Sequence, residues 1–289
     1  MALSAKADPL PSQECEPELS SRPECPICYH GLPLKKIEHV YHACCGQVIC
    51  NGCMVGKQRT QLKESQLKEL GIIVEDTTPE EEQFRLIKEY GSQIYVCPYC
   101  RASAPDSDEE QVYNKEILQR LYDRIEIRDD RDYTIALNQL GSYYKNGERG
   151  LPQNLKKAEE LYKKAYDLDY PSAAWNLYCL YTNHYSDQKE TEMEYLQRGE
   201  MLGDLQCTQV LIDHAYDSGN MENFARLCAK SVRLGGEDDI DDLWLCYRHN
   251  LLSKDVVATT LRANQALKDE VTTKRRDFAK RYEQFCDAS

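Results

Sequence analysis

Cysteine pairs in the first third of the chain have the spacing of metal ligands. The pairs are Cys25 with Cys28, the adjacent Cys44 and Cys45, Cys50 with Cys53, and Cys97 with Cys100. A Cys-x2-Cys turn presents two sulfurs to one ion, and a structural Zn²⁺ is held by four ligands at the corners of a tetrahedron. The four pairs therefore predict a module that binds two zinc ions.

The composition indicates a reducing compartment. The chain has 289 residues, including 14 cysteines, and its first residues form no apolar signal segment. We predict an intracellular protein, in the cytoplasm rather than the nucleus, whose clustered thiols bind metal instead of forming disulfides. No apolar run approaches a membrane span, so no membrane association is expected. Isolated cysteines of the second half are predicted to be buried on helices: Cys179, Cys207, Cys228 and Cys246.

The charge balance disfavours nucleic acid as a partner. The chain has 36 basic and 49 acidic residues, giving a net charge of -13. Nucleic-acid binding draws most of its affinity from the neutralisation of phosphates by basic residues. We therefore expect protein partners and no nucleic acid.

The letters around the cysteines resemble the cross-braced RING finger of ubiquitin ligases. They read Cys25-Pro-Ile-Cys28, Cys45-Gly-Gln-Val-Ile-Cys50-Asn-Gly-Cys53 and Cys97-Pro-Tyr-Cys100-Arg101. In that family the ligand pairs alternate between two ions. The resemblance thus implies one zinc on Cys25, Cys28, Cys50 and Cys53, and another on the middle pair with Cys97 and Cys100.

One ligand of the second zinc departs from the family pattern. The usual His two residues after the third cysteine is Gln47 in this chain, and an amide cannot replace an imidazole as a zinc ligand. We predict that Cys44, directly before Cys45, supplies the missing ligand and gives an all-cysteine finger. His42 is the alternative, and absence of the second ion is a third possibility.

The resemblance implies a ubiquitin ligase without a catalytic nucleophile. Such a finger binds a charged ubiquitin-conjugating enzyme and orients the thioester of ubiquitin for attack by a substrate lysine, which is catalysis by proximity. By resemblance, Ile27 and Pro98 line the enzyme-binding groove, and Arg101 bridges enzyme and ubiquitin. The usual bulky aromatic residue beyond the sixth ligand is missing, and Met54 and Val55 are the nearest apolar residues. The competing interpretation is a zinc-stabilised scaffold without ligase activity.

The finger, residues 23–104, carries a long insertion between its sixth and seventh ligands. Apolar spacing predicts a helix from Gln58 to Leu70, which Gly71 ends. A second helix is predicted behind Thr78 and Pro79, where acidic residues would occupy its first turn. We interpret the insertion as a charged, solvated spacer, with a partner-binding surface as the alternative.

The rest of the chain predicts a mainly α-helical protein. Residues 1–22 are predicted to be a disordered tail, 105–131 a charged helical linker, and 132–289 a solenoid of helical repeats. One segment is similar to a complete Sel-one-like repeat, through Ala136, Leu140, Gly141, Tyr144, Gly147, Gly150, Ala158, Leu161 and Tyr162. Weaker units follow from Ala174, Cys207 and Ile240, and stacking of such units buries their apolar faces. A final helix from Asp255 to about Phe285 is predicted to cap the stack.

The combination of a RING-type finger with Sel-one-like repeats resembles a predicted protein family that is expanded in diatoms and related algae. This resemblance implies no particular substrate. The expected partners are a ubiquitin-conjugating enzyme, ubiquitin and a protein substrate that binds the repeats.

Overall fold

The computed structural model describes residues 25–28, 32, 39–42, 44–45, 47–64, 78–90, 97–98, 110–127, 130–185, 189–271 and 274–288. Over these residues the protein is mainly helical with a two-stranded sheet, which confirms the predicted mainly-α class. The predicted tail, Cys100 and Arg101 lie outside the described residues. In the described part of the chain, no helix is both long and apolar enough to cross a lipid bilayer.

Two short strands come first in the chain, and every later element that the structure describes is a helix. In chain order they are β1 (His39–His42), β2 (Gln47–Cys50), α1 (Asn51–Glu64), α2 (Glu80–Tyr90), α3 (Glu110–Ile127), α4 (Asp130–Asn146), α5 (Leu155–Tyr166), α6 (Pro171–His184), α7 (Lys189–Met201), α8 (Leu205–Asp217), α9 (Met221–Arg233), α10 (Ile240–Arg248), α11 (Lys254–Val271) and α12 (Lys274–Ala288). Two compact units result. The finger unit comprises Pro23–Ala158 and Glu270–Ser289, and the helical unit comprises Glu159–Asp269. The predicted linker and the C-terminal helix thus belong to the finger unit.

Strands β1 and β2 form an antiparallel hairpin that carries the middle cysteines. His39 pairs with Cys50, and His42 pairs with Gln47. The amide of Cys45 donates to the carbonyl oxygen of His42 over 3.1 Å and closes the turn. Strand β2 ends at Cys50 and α1 begins at the next residue. The hairpin therefore places the middle pair at its turn and the third pair where strand passes into helix.

The insertion contributes helix α1 and helix α2 to the core of the finger unit. Helix α1 begins directly after Cys50, several residues before the predicted start at Gln58. Helix α2 confirms the predicted start, with glutamates in its first turn near the positive end of the helix dipole. Its apolar residues Phe84, Leu86 and Ile87 are buried in a cluster with Val55 of α1. Because this face is buried, α2 is not the solvated spacer that we predicted.

Helix α12 packs on α1 and α2 of the finger unit. The sequence predicts one helix up to about Phe285; the structure describes α11 up to Val271 and α12 from Lys274, and residues 272–273 lie outside the described residues. Phe84 of α2 meets three rings of α12 at centroid distances of 5.0, 5.8 and 5.7 Å: Phe278, Tyr282 and Phe285. These three residues repeat with helical spacing, so they form one apolar stripe. That stripe completes the finger core.

Helix α3 is the predicted linker helix, and it packs on α4. Its residues Ile117 and Leu121 are buried, whereas Val112 is 63 % exposed. The hydroxyl groups of Tyr122 and Tyr144 lie 2.7 Å apart and join the two helices. The linker is therefore a packed element of the finger unit rather than a free connection.

In the helical unit, helices α6 to α10 pack each on the next. Helices α7, α8 and α9 end alike, each followed by a glycine with positive φ: Gly203 (83°), Gly219 (72°) and Gly235 (93°). The amide of the residue after each glycine donates to the carbonyl oxygen five residues earlier, the bond of a Schellman motif. The sequence predicts that repeat units end near Gly203 and at Gly235 and that a turn lies at Gly219, and the structure has a turn at each of these glycines. The arrangement of the helices as a repeat solenoid stays a prediction.

The isolated cysteines of the helical unit divide into two groups. Cys207, Cys228 and Cys246 are completely buried, as predicted. Cys179 is only half-buried, which corrects the prediction for that residue. It lies on α6 in the segment where Ala174 and Leu177 form the buried side, so its own position falls toward the edge of that side.

Candidate metal centres

Four cysteines converge to form the first cluster, which we define as Cys25, Cys28, Cys50 and Cys53. Their sulfur atoms all lie within 4.8 Å of one another. Cys25 and Cys50 are fully buried, Cys53 is 3 % exposed, and Cys28 is half-buried. Four thiolates at such mutual distances are the donor set of a structural zinc site. The first cluster could therefore hold a metal ion, and its chemistry is consistent with the predicted zinc.

Local structure directs the third pair of cysteines inward. Cys50 is the last residue of β2, and Cys53 lies in the first turn of α1. The N-terminus of a helix carries partial positive charge, which stabilises a thiolate placed there. Leu32 and Ile49 are buried beside the four sulfurs. This small apolar core is why metal binding would supply much of the folding free energy, about 10–16 kcal/mol for structural zinc in finger peptides.

The thiols of the first cluster influence one another's pKa values. Hydrogen bonds from the Cys50 and Cys53 thiols hold the pKa of Cys25 far below its usual range. Hydrogen bonding with Cys25 raises the pKa values of Cys50 and Cys53, and burial raises them further. One thiolate is thus stabilised at the expense of its neighbours. Ionisation of all four thiols needs a cation among them, which fits a divalent metal that prefers sulfur.

Three donors form the second cluster, which we define as His42, Cys44 and Cys97. Their ligand atoms lie within 4.8 Å of one another, and all three residues are buried. His42 ends β1, Cys44 lies in the hairpin turn, and Cys97 comes from the far side of the insertion. This second group could also hold a metal ion.

The second cluster contains both candidates for the missing ligand, Cys44 and His42, so its geometry does not choose between them. The sequence predicts Cys44 with Cys45, Cys97 and Cys100, and the alternative His42; the structure brings both Cys44 and His42 to Cys97. The sulfur of Cys45 lies 3.7 Å from that of Cys97, and its thiol also donates to the carbonyl oxygen of His42 over 3.8 Å. Burial lowers the pKa of His42 to about 4, so its imidazole is neutral at pH 7, the form that binds metal.

An arginine from α12 lies against the first cluster. Nη2 of Arg276 is 3.7 Å from the sulfur of Cys28. Burial lowers the pKa of Arg276, but its interactions with Cys50 and Cys28 outweigh that effect and raise it. Gly52, between the ligands Cys50 and Cys53, lets the α12 backbone approach, because a Cβ there would lie 2.7 Å from the backbone nitrogen of Arg276.

Another arginine, on α3, lies against the second cluster. Nη1 of Arg120 donates to the carbonyl oxygen of Cys44. Arg124, one turn further along α3, donates to the hydroxyl group of Tyr41 over 3.1 Å. These bonds attach α3 to the hairpin that presents His42 and Cys44. They contact backbone and hydroxyl oxygen rather than the ligand atoms themselves.

Of the three residues predicted to contact the conjugating enzyme and ubiquitin, the structure describes Ile27 and Pro98. Ile27 lies between two ligands of the first cluster and is half-buried, with part of its side chain packed on the cysteines. Pro98, next to Cys97, is also half-buried. Arg101 lies outside the described residues. Val55 is 2 % exposed in the core that α1 shares with α2 and α12, so it faces away from solvent.

Sequence reasoning missed the contribution of Arg276 and of Gly52 to the first cluster. Both come from long-range packing, since Arg276 and Cys28 are 248 residues apart. A signal was available in the glycine between Cys50 and Cys53, because glycine in a first helical turn is unfavourable unless a close approach requires it. Arg120 was missed for the same reason, as no local pattern joins it to Cys44.

The resemblance to a RING finger, to Sel-one-like repeats and to the algal family is carried by the residues quoted above, and it stays a prediction. Comparison with protein-family models, with curated proteins and with solved structures gives no match.

Proposed function

We propose that the protein is a RING-type ubiquitin ligase or ligase-like adaptor. One observation carries this proposal, namely the order of the donors along the chain. The first cluster joins the first and third cysteine pairs, whereas the second cluster takes donors from the segment between those pairs and from Cys97 beyond them. Such interleaving is the cross-brace to which the RING resemblance points. Consecutive zinc knuckles would instead close on neighbouring pairs.

The finger would bind a ubiquitin-conjugating enzyme through residues beside the ligands. Ile27 lies within the first pair and Pro98 directly follows Cys97, so a metal at each cluster would fix the segment that carries the contact residue. Both are partly exposed and therefore accessible to a partner. Arg101 is proposed to bridge enzyme and ubiquitin. Zinc, when bound, would supply only structural rigidity, and the thioester would react by proximity to the substrate lysine.

The helical unit is proposed to bind the protein substrate. Helices α6 and α8 contact each other as well as their neighbour α7, as expected for the first helices of stacked repeats. Three aromatic side chains on α8 and α10 are exposed: Tyr216, Trp244 and Tyr247. Aromatic residues are enriched at protein interfaces, which supports a binding surface on this unit.

A discharge assay with the full chain tests the proposal. A conjugating enzyme charged with ubiquitin should lose its thioester to free lysine faster when the protein is present. Ile27→Ala should weaken binding of the enzyme, and Arg101→Ala should slow discharge tenfold or more, about 1.4 kcal/mol per tenfold, without changing metal content. Val112→Ala, an exposed apolar residue on α3, serves as the matched control and should behave like wild type.

A second candidate, a zinc-stabilised scaffold without ligase activity, rests on a different observation. The aromatic residue usual in the enzyme-binding groove is absent, and Val55 is buried against α2 and α12 instead of lying in a groove. A finger that binds zinc and folds but discharges no conjugating enzyme would favour the scaffold. Equal discharge by wild type and Arg101→Ala would remove Arg101 from the mechanism.

A further inference from the structure

The first cluster creates a charge problem in the interior of the finger unit. A divalent ion held by four thiolates leaves the cluster with net negative charge. Cys25 and Cys50 are fully buried, so water reaches them poorly. A buried charge is strongly unfavourable unless a partner of opposite sign is near. The cluster therefore requires a positive group at its inner side.

Arg276 of α12 meets that requirement. Its side chain is buried, with 6 % of the residue exposed, and its Nη2 atom lies 3.7 Å from the sulfur of Cys28. The backbone of Arg276 also lies against Gly52, between the ligands Cys50 and Cys53, so Arg276 is beside both cysteine pairs of the cluster. A guanidinium stays protonated at any pH that a folded protein tolerates. Its charge is thus directed at the thiolates.

Three further contacts hold α12 in the position that brings Arg276 to the sulfurs. The absent side chain of Gly52 lets the α12 backbone lie against α1. Asn51, beside Gly52, donates from Nδ2 to Oε1 of Glu283 over 2.7 Å. Phe84 of α2 packs on Phe278 with ring centroids 5.0 Å apart. Two of these contacts lie between or next to the ligands Cys50 and Cys53, so the placement of α12 and the geometry of the cluster depend on the same turn of α1.

We propose that α12 is part of the first metal centre, with Arg276 as a positioning residue that neutralises the metal–thiolate cluster from outside its ligands. Metal binding and docking of α12 then stabilise each other, because thermodynamic coupling between two binding events is reciprocal. Release of the ion should loosen α12, and loss of Arg276 should weaken metal binding. The proposal rests on metal binding by the first cluster but not on ligase activity.

The test uses the full chain, two variants at Arg276 and one control variant on the same helix. Arg276→Met keeps an apolar stem of similar length but removes the charge, and Arg276→Lys keeps a charge. Arg281→Met is the control, because Arg281 lies on the same helix and pairs with Glu80 over 2.7 Å, away from the cysteines. Zinc affinity is measured by competition with a chromophoric chelator. Arg276→Met should lower the affinity of the first cluster by about 10–100-fold, as loss of an outer partner does at other metal sites, and Arg276→Lys should restore part of it.

Hydrogen exchange of the wild-type protein provides an independent readout. The amides of α12 should exchange faster after zinc is removed with chelator, while those of the helical unit, such as in α9, should not change. Equal zinc affinity for Arg276→Met and Arg281→Met, or unchanged α12 exchange after zinc is removed, would overturn the proposal. A protein that binds no zinc would overturn it together with the metal sites, whereas an inactive ligase with these readouts as expected would overturn only the proposed function.

Discussion

The first cluster draws its thiols from residues 25–28 and from the junction of β2 with α1, whereas the second draws its donors from the β1–β2 hairpin and from Cys97. Around the first, α12 packs directly on the ligand-bearing turn and Arg276 reaches the sulfurs. Around the second, Arg120 of α3 reaches only the backbone oxygen of Cys44. The two sets of donors are similarly buried, and they differ in which elements pack around them. Helices α1 and α12 meet at the first cluster, whereas at the second cluster α3 is bonded to the hairpin turn.

The largest effect is expected when a ligand of the first cluster is removed. Cys53→Ser should lose both zinc ions and the unfolding transition of the finger unit, because β2 and α1 meet at this cluster and structural zinc contributes about 10–16 kcal/mol. Cys97→Ser should lose only the second ion. Both variants should keep the transition of the helical unit, since that unit has a core of its own.

Metal analysis and calorimetry measure these two outcomes. Cys179→Ser serves as the control, because this half-buried cysteine lies in the helical unit outside both described clusters. Equal metal loss in Cys53→Ser and Cys97→Ser would contradict the ranking of the clusters.

The second prediction concerns the donors of the second cluster. His42→Ala and Cys44→Ser should each abolish tight binding there, a larger loss than the about 10–100-fold expected for an outer partner. Cys45→Ser should lose less, because its thiol is shared between the sulfur of Cys97 and the carbonyl oxygen of His42. The absorption spectrum of the Co²⁺-loaded protein should change when the imidazole is removed. A tight site in His42→Ala combined with its loss in Cys45→Ser would restore the all-cysteine set.

A third, smaller effect is expected from Gly52→Ala. Alanine is favoured over glycine within a helix by about 1 kcal/mol, but a Cβ at this position would lie 2.5 Å from Cγ and 2.8 Å from Cα of Arg276. Backbone atoms cannot rotate away, and overpacking of this kind costs about 1–3 kcal/mol. The variant should lower the unfolding temperature of the finger unit and leave that of the helical unit in place. A gain in stability would mean that α12 does not press on α1.

The smallest effect is expected from Arg120→Met. The side chain of Arg120 is 46 % exposed, and a single hydrogen bond contributes a net of about 1 kcal/mol. Solvent also screens an exposed charge. Zinc affinity of the second cluster should therefore fall by less than tenfold, and by less than Arg276→Met lowers that of the first. Chelator competition measures both, and the reverse order would remove the distinction between the clusters.

Local chemistry made much of the fold predictable from the sequence. The Cys-x2-Cys spacings predicted the first cluster, and the glutamates after Pro79 predicted α2. Gly219 and Gly235 indicated turns. Each of these signals acts within a few residues. They need no knowledge of what the segment packs against.

The parts that were missed depend on distant packing. The aromatic stripe of α12, which includes Phe278, is visible in the sequence, but its spacing does not say which surface buries it, and we assigned it to the repeats. His42 was only the alternative ligand, because the hairpin register that brings it to Cys44 and Cys97 is not written in the spacing. The prediction of a solvated spacer was wrong for α2 because we judged this helix by its many charged residues and not by the apolar face around Phe84.

The contact between α12 and α1 also bears on how the chain folds during synthesis. Asn51 and Glu283, which join these helices, are 232 residues apart, and the whole helical unit is translated between them. Domains fold as units with the N-terminal parts first during synthesis, so most of the helical unit leaves the ribosome before α12 does. Until then Phe84 lacks the rings of α12 that cover it, and apolar surface exposed in this way makes a folding chain prone to aggregation. Contacts of such long sequence separation form slowly, so the arrival of α12 sets when the finger unit matures.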